Sequence, residues 1–169
     1  MAHTLKSKAE AFCRSYSDSL GLTSRDKENT SEKTAEALFS HYLQQGFTAF
    51  TFGQHATFGD KDASTASIKR YLDKWNDLGL GLDFSMDDFR VEVVSDLGPQ
   101  GGGLALCWIT WSVQPPPESA WSGKGWNWEN VYAFRVPPGQ ENGYFEFVVS
   151  DNEMSGLLQR IPNFMDGLW

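Results

Sequence analysis

The chain has 169 residues, 40% of them hydrophobic and 14% aromatic, which is enough for one well-buried core and too little for two sizeable ones. Its 14 Lys and Arg stand against 22 Asp and Glu, and the formal charge of -8 opposes binding to a polyanion, whose affinity comes from neutralising cations. No apolar run approaches the roughly 20 residues of a membrane span, and apolar residues are spread along the chain, so neither a nucleic acid nor a membrane is an expected partner.

The opening MAHTLKSKAEAFC has charges but no apolar stretch behind them; it does not read as a secretory signal, and a cytoplasmic location is expected. In that reducing compartment Cys13 and Cys107 read as two buried thiols and not as a disulfide. A single domain over 1–169 is expected, with loose tails at 1–4 and 165–169.

From Leu5 to Leu20, apolar residues at Leu5, Ala9, Phe12, Cys13, Tyr16 and Leu20 keep the spacing of an amphipathic helix, with Gly21 as its stop. After the polar TSRDKENT, Asn29 and Glu32 resemble a capping box, and a second helix starts near Thr30. His41 falls on this segment and reads as a surface residue. The segment Phe47 to Phe58 alternates and then breaks at Gly53, a pattern open to a helix end, a short strand or both, and a strand is expected somewhere inside it. A third helix follows, with Ile68, Tyr71, Leu72, Trp75 and Leu78 on one face and Gly79 at its end.

Beyond it the period changes to two. DFRVEVVS (Asp88 to Ser95) and LALCWITWSVQ (Leu104 to Gln114) flank the turn-rich DLGPQGGG and read as a hairpin. The three prolines after Gln114 make a loop, since proline cannot donate to a sheet ladder. WNWENVYAFR (Trp126 to Arg135) is the next strand; it places Trp126, Trp128, Asn130, Tyr132 and Phe134 on one side. A large apolar area with an amide and a phenol is what a ligand pocket needs, and it is equally what an aromatic core strand with polar tips looks like. YFEFVVSDN gives a last strand, and Met154, Leu157, Leu158 and Ile161 a short terminal helix. Three helices followed by long strands define an α+β arrangement.

That order, with NVYAFR, a turn, and then GYFEFVVSDNEMSGLLQRIP, resembles the nuclear transport factor 2-like superfamily, and in particular its SnoaL-like branch. The resemblance covers nearly the whole chain and rests on element order more than on a fixed motif. It implies a cone-shaped barrel: a strongly curved antiparallel sheet with three N-terminal helices packed on its concave side. It also implies which residues face the cone, namely Trp108, Thr110, Ser112 and Gln114 with Trp128, Asn130, Tyr132, Val148, Ser150 and Asn152. Cys107, Ile109, Trp111, Val113, Phe145, Phe147 and Val149 then lie on the convex face, too apolar for water, and imply a homodimer through the sheets. A one-residue slip exchanges the two faces.

Catalytic members of the superfamily place an Asp, Glu or His in an apolar cavity, where desolvation moves its pKa toward the working range. His55 lies between the second and third helices, where a pocket mouth would be; a rim or capping role competes with that of a base. Asp151 and Glu153 stand where a SnoaL-like cyclase carries its acid, without an alignment that separates them, and helix capping is the competing role for both. Gln114 stands where those cyclases have a His. Glu129 faces away from the cone in this register and would enter it after a one-residue slip. Tyr16 and Asp18 resemble the pocket Tyr and Asp of scytalone dehydratases, whose strand histidines have no match here. The ligand-binding set is thus Tyr16, Trp108, Thr110, Trp128, Asn130, Tyr132 and Ser150, and the proton-moving candidates are His55, Asp151 and Glu129. With no HExxH, CxxC, GxSxG or phosphate loop, neither a metal nor a cofactor is expected.

Two functions fit these residues. One is a cofactor-independent isomerase, cyclase or dehydratase that holds an apolar oxygenated metabolite in the cone. The other is a non-catalytic binding or dimeric interaction module of the same fold.

Overall fold

The structure of the chain, a computed structural model, describes residues 4–25, 30–98 and 102–168. The first apolar stripe forms α1 (Leu5–Arg25), with Leu5, Ala9, Cys13, Tyr16 and Leu20 buried along one side. The helix runs through Gly21 where the sequence suggested a stop. One interior glycine costs about 1 kcal/mol, too little to end a helix whose stripe is already packed. α2 (Ser31–Phe39) is capped by Thr30, whose Oγ1 accepts from the Lys33 N–H at 3.2 Å; Asn29, the cap expected from the sequence, lies outside the described residues. α3 (Lys61–Asp77) begins where Asp60 Oδ1 accepts from the Ala63 N–H at 2.9 Å, and it buries Ile68, Leu72 and Trp75 at helical spacing. α4 (Asp151–Arg160) closes the chain against the sheet. Among the described residues no helix is long and apolar enough to cross a membrane.

The strands are β1 (Thr48–Thr51), β2 (Gln54–Thr57), β3 (Phe84–Asp96), β4 (Gly103–Val113), β5 (Trp126–Val136) and β6 (Tyr144–Val149). They form a curved, unclosed sheet in the order β2-β1-β6-β5-β4-β3. The sheet is mixed, because β1 runs parallel to β6 while the other neighbours are antiparallel. The ambiguous segment 47–58 is a tight hairpin. Both residues of its turn, Phe52 and Gly53, have positive φ (51° and 76°), the conformation that matches the twist of the flanking strands.

Register decides which side chains face the helices. In the β4–β5 ladder Cys107 pairs with Tyr132, Ile109 with Asn130 and Trp111 with Trp128. Directly opposed residues of an antiparallel pair share a face. The side facing the helices is therefore formed by Cys107, Ile109, Trp111 and Val113 together with Trp128, Asn130 and Tyr132, all of them buried. This corrects the expected parity of β4. Trp108, Thr110 and Ser112 lie on the outer face, and exposed Gln114 spends its backbone N–H on Asp83 O at 3.0 Å. A shift in the β5–β6 register between Ala133 and Phe134 also turns the fully buried Phe145 inward, while Phe147 and Val149 stay outside as expected.

The helices and the inner sheet face share one aromatic core. Trp75 of α3 stacks on Trp126 at 5.7 Å and packs edge-on against Phe84 and Phe164, and Tyr16 of α1 sits edge-on to Trp111, Tyr132 and Phe145. Cys13 and Cys107 are buried free thiols where α1 meets β4, and their mutual hydrogen bond and burial push the Cys13 thiol far up. His41 is buried, not at the surface: its ring is 3.0 Å from Ser40 Oγ and from Ala37 O, and burial lowers its pKa.

Candidate functional site

The aromatic core does not close completely. Between the inner sheet face, α1, α3 and the β1–β2 hairpin lies a cavity of about 530 Å³, inside the range of roughly 300–1,000 Å³ common for small-molecule sites. Its wall is mainly aliphatic and aromatic; besides Thr51, Ser67, Arg70 and Ser150, its polar side chains fall into two groups.

The first group is phenolic. The Tyr16 and Tyr42 hydroxyls are 2.7 Å apart, and the Trp111 indole N–H donates to the Tyr132 hydroxyl at 3.2 Å. Burial pushes the hydroxyls of Tyr16, Tyr42 and Tyr132 up, so they stay neutral at physiological pH.

The second group surrounds Glu153. The Tyr71 hydroxyl donates to its Oε1 and the Asn130 amide to its Oε2, each at 2.6 Å. The side chain is half-buried and lines the cavity. Burial raises the Glu153 pKa, against the opposing pull of Tyr71, Asn130 and the nearby Trp128 N–H. Each carboxylate oxygen has two acceptor sites, so the bonds from Tyr71 and Asn130 still leave capacity for a proton or a ligand donor.

Two buried polar atoms of this wall make no hydrogen bond: Asn130 Oδ1, and Trp128 Nε1, which acts on the Glu153 carboxyl from beyond hydrogen-bond reach. A buried polar atom left unpaired costs about 1–3 kcal/mol, which a hydrogen bond from a ligand would offset. Asn130 is only 2% exposed, so no bulk water solvates it. The cavity thus offers one acceptor and one donor beside a carboxyl of raised pKa.

Of the ligand-binding set read from the sequence, Tyr16, Trp128, Asn130, Tyr132 and Ser150 line the cavity. Trp108 and Thr110 do not, because the β4 register turns them outward; Trp108 instead carries the Arg90 guanidinium 4.1 Å above its ring. The three proton-moving candidates also fall outside the cavity wall. His55 is exposed on β2 with its ring 5.9 Å from that of Phe50. Asp151 Oδ1 accepts from the Phe52 N–H at 2.8 Å and so ties the hairpin turn to the start of α4. Glu129 is exposed on the outer side of β5, where its backbone oxygen accepts from exposed Asn152 at 3.2 Å. Asp18 is likewise exposed, on α1. The acid in the wall is Glu153, two residues beyond Asp151 on α4. Tyr71 and Arg70, both on α3, also line the cavity; the sequence put Tyr71 on the apolar face of that helix and gave neither residue a site role.

No family model matches the chain, and no curated protein matches it. Solved structures similar to it include an NTF2-like protein of unknown function from Shewanella oneidensis, with 7% identity and a TM-score of 0.47, covering 84% of this chain and 94% of that one. An uncharacterised protein with a cystatin-like fold from Caulobacter vibrioides has 11% identity and a TM-score of 0.49, with 90% and 96% covered. A protein from Novosphingobium aromaticivorans with a provisional scytalone dehydratase assignment has 12% identity and a TM-score of 0.48, with 84% and 79% covered. The likeness is one of fold alone.

Proposed function

We propose that the chain binds an apolar, oxygenated small molecule in the 530 Å³ cavity and moves a proton on it without a cofactor, as an isomerase or cyclase does. The observation that carries this reading is Glu153: a carboxyl held at both oxygens, raised in pKa by burial, and open to the cavity. A base of raised pKa beside a carbonyl ligand takes a proton from the adjacent carbon, and the electron pair moves onto the carbonyl oxygen. The Trp128 N–H, which makes no hydrogen bond, is then available to that oxyanion. Return of the proton from Glu153 to another carbon completes an isomerisation.

A probe with this chemistry is 2-tetralone, an apolar ketone with acidic hydrogens next to its carbonyl. Incubated in D2O, the wild-type protein is expected to speed deuterium uptake at those carbons, and Glu153→Gln to abolish the acceleration while retaining binding. Binding without any acceleration by the wild type would leave the non-catalytic binding module as the function. That second reading is favoured by the bonds from Tyr71 and Asn130, which also suit a purely structural carboxyl.

The outer sheet face completes the proposal. Leu104, Leu106, Trp108, Val131, Phe147 and Val149 lie there half-buried, more apolar than a solvated face requires, and this supports pairing of two copies through the sheets. Sedimentation of the wild type as a dimer and of Trp108→Glu as a monomer is the expected result; a monomeric wild type removes this part of the reading.

A further inference from the structure

The charged residues among the described cavity lining are Glu153 and Arg70, and they occupy different environments. Glu153 is half-buried, whereas Arg70 is exposed, so Arg70 stands where the cavity meets solvent. On α3 it lies between Ile68 and Leu72, which point inward, and next to Tyr71, the donor to Glu153.

Arg70 is uncommitted. The acid three residues on, Asp73, already accepts from Lys69 at 2.7 Å, and Lys74 donates to the Asp166 carbonyl oxygen. Arg70 has no hydrogen bond, ion pair or ring contact among the described residues. In a chain of net charge -8, acidic partners for a surface arginine are plentiful. A guanidinium left free at the rim of an otherwise apolar cavity presents a planar fork of donors that matches a carboxylate.

The inner end asks for something different. Asn130 Oδ1, buried and unpartnered, accepts from a hydroxyl or amine, and the adjacent Glu153 repels a second anion whenever it is ionised. A negatively charged group is therefore excluded from the depth of the cavity and attracted to its mouth. Resting on the reading of this cavity as a ligand site, we propose that its ligand is an apolar carboxylic acid. Its hydroxyl-bearing end is on Asn130 and its carboxylate is on Arg70. The charged end enters last, which fixes the orientation of the molecule relative to Glu153.

A rigid probe with this polarity is 6-hydroxy-2-naphthoate, with the uncharged control methyl 6-hydroxy-2-naphthoate. Affinities of both for the wild type and for Arg70→Gln are measured by quenching of tryptophan fluorescence at pH 7.5. The wild type is expected to prefer the acid by about tenfold, the scale of one charge-assisted pair at a partly exposed site. Arg70→Gln is expected to lose that preference with ester affinity unchanged, and Arg70→Lys to keep part of it. An acid-to-ester ratio that is the same in the wild type and Arg70→Gln overturns the proposal. If in that case Asn130→Leu still weakens ester binding, the cavity remains a ligand site and only the carboxylate assignment falls. Failure of both probes to bind the wild type at about 1 mM, a threshold of weak affinity, removes the assignment and counts against the cavity reading as well.

Discussion

The Tyr71 hydroxyl, on α3, donates to Glu153 Oε1 on α4 at 2.6 Å, so the acid at the cavity wall is held by a helix that sequence order places far from it. Burial still outweighs this bond, and the Glu153 pKa lies above the ordinary glutamate value of 4.5. A carboxyl whose folded pKa is raised favours the folded state fully below its unfolded pKa. That contribution is lost as pH rises through the folded pKa. Urea midpoints measured from pH 4 to pH 8 are therefore expected to fall more steeply with pH in the wild type than in Glu153→Gln, with the variant the more stable at pH 8. Parallel profiles for the two proteins would show that Glu153 is not desolvated in solution.

Removing the Tyr71 donor moves the same group further. The hydroxyl stabilises the ionised carboxylate, so Tyr71→Phe is expected to raise the Glu153 pKa above its wild-type value. The readout is the carboxyl carbon of Glu153, followed by NMR through a pH titration. A lower or unchanged pKa means that the bond is absent in solution. The same variant shifts the pH profile of any proton transfer in the same direction, which a merely structural tyrosine would not do.

Local pattern made much of this fold legible, because the information was periodic. The stripe from Leu5 to Leu20 and the set Ile68, Leu72 and Trp75 could bury only one helical face, and Trp126 to Arg135 alternated strictly enough to place Trp128, Asn130 and Tyr132 together. The parity of β4 was not legible, because both of its faces are apolar: Leu104, Leu106 and Trp108 on one and Cys107, Ile109 and Trp111 on the other. Pairing with β5 across the proline loop settles it, and that is a long-range relation. The parallel pairing of β1 with β6 and the register shift that turns Phe145 inward are equally non-local. For the site, choosing between Asp151 and Glu153 needed the phase of α4 to within two residues. Tyr71 and Arg70 needed the position of α3 relative to that helix. Glu153 stood among the sequence candidates, but nothing in its neighbours marked it as the one that enters the cavity.

Asp151 has a structural task, and this can be separated from chemistry. Its Oδ1 accepts from the Phe52 N–H at 2.8 Å, a charged acceptor on an exposed hairpin turn. Asp151→Ala is expected to cost about 1 kcal/mol in thermal or urea unfolding, the scale of such a bond. The Glu153 pKa and the binding of 6-hydroxy-2-naphthoate are expected to stay unchanged. Lost proton transfer with unchanged stability would return Asp151 to the role of acid.

The same turn carries a residue that suits its backbone poorly. Phe52 has φ 51°, the one positive value among the described non-glycine residues, and the residue is 53% exposed. An L-residue with a bulky side chain pays about 1–2 kcal/mol for this left-handed conformation, whereas asparagine tolerates it. Asn followed by Gly is also the preferred pair for a two-residue hairpin turn, and Gly53 is already in place. Phe52→Asn keeps the backbone N–H that Asp151 accepts, so it is expected to raise stability by roughly 0.5–1 kcal/mol, read as a higher urea midpoint at unchanged slope. The hairpin also brings Thr51 and Ala56 to the cavity wall, so the stiffer turn tests whether this edge must yield for a ligand to enter. A stabilised variant that binds 6-hydroxy-2-naphthoate with the wild-type association rate shows a wall that is already open. A stabilised variant with a slower rate shows that the strain at Phe52 lets the hairpin move. A midpoint unchanged or lowered means instead that the ring packs well enough in solution to offset the strained backbone.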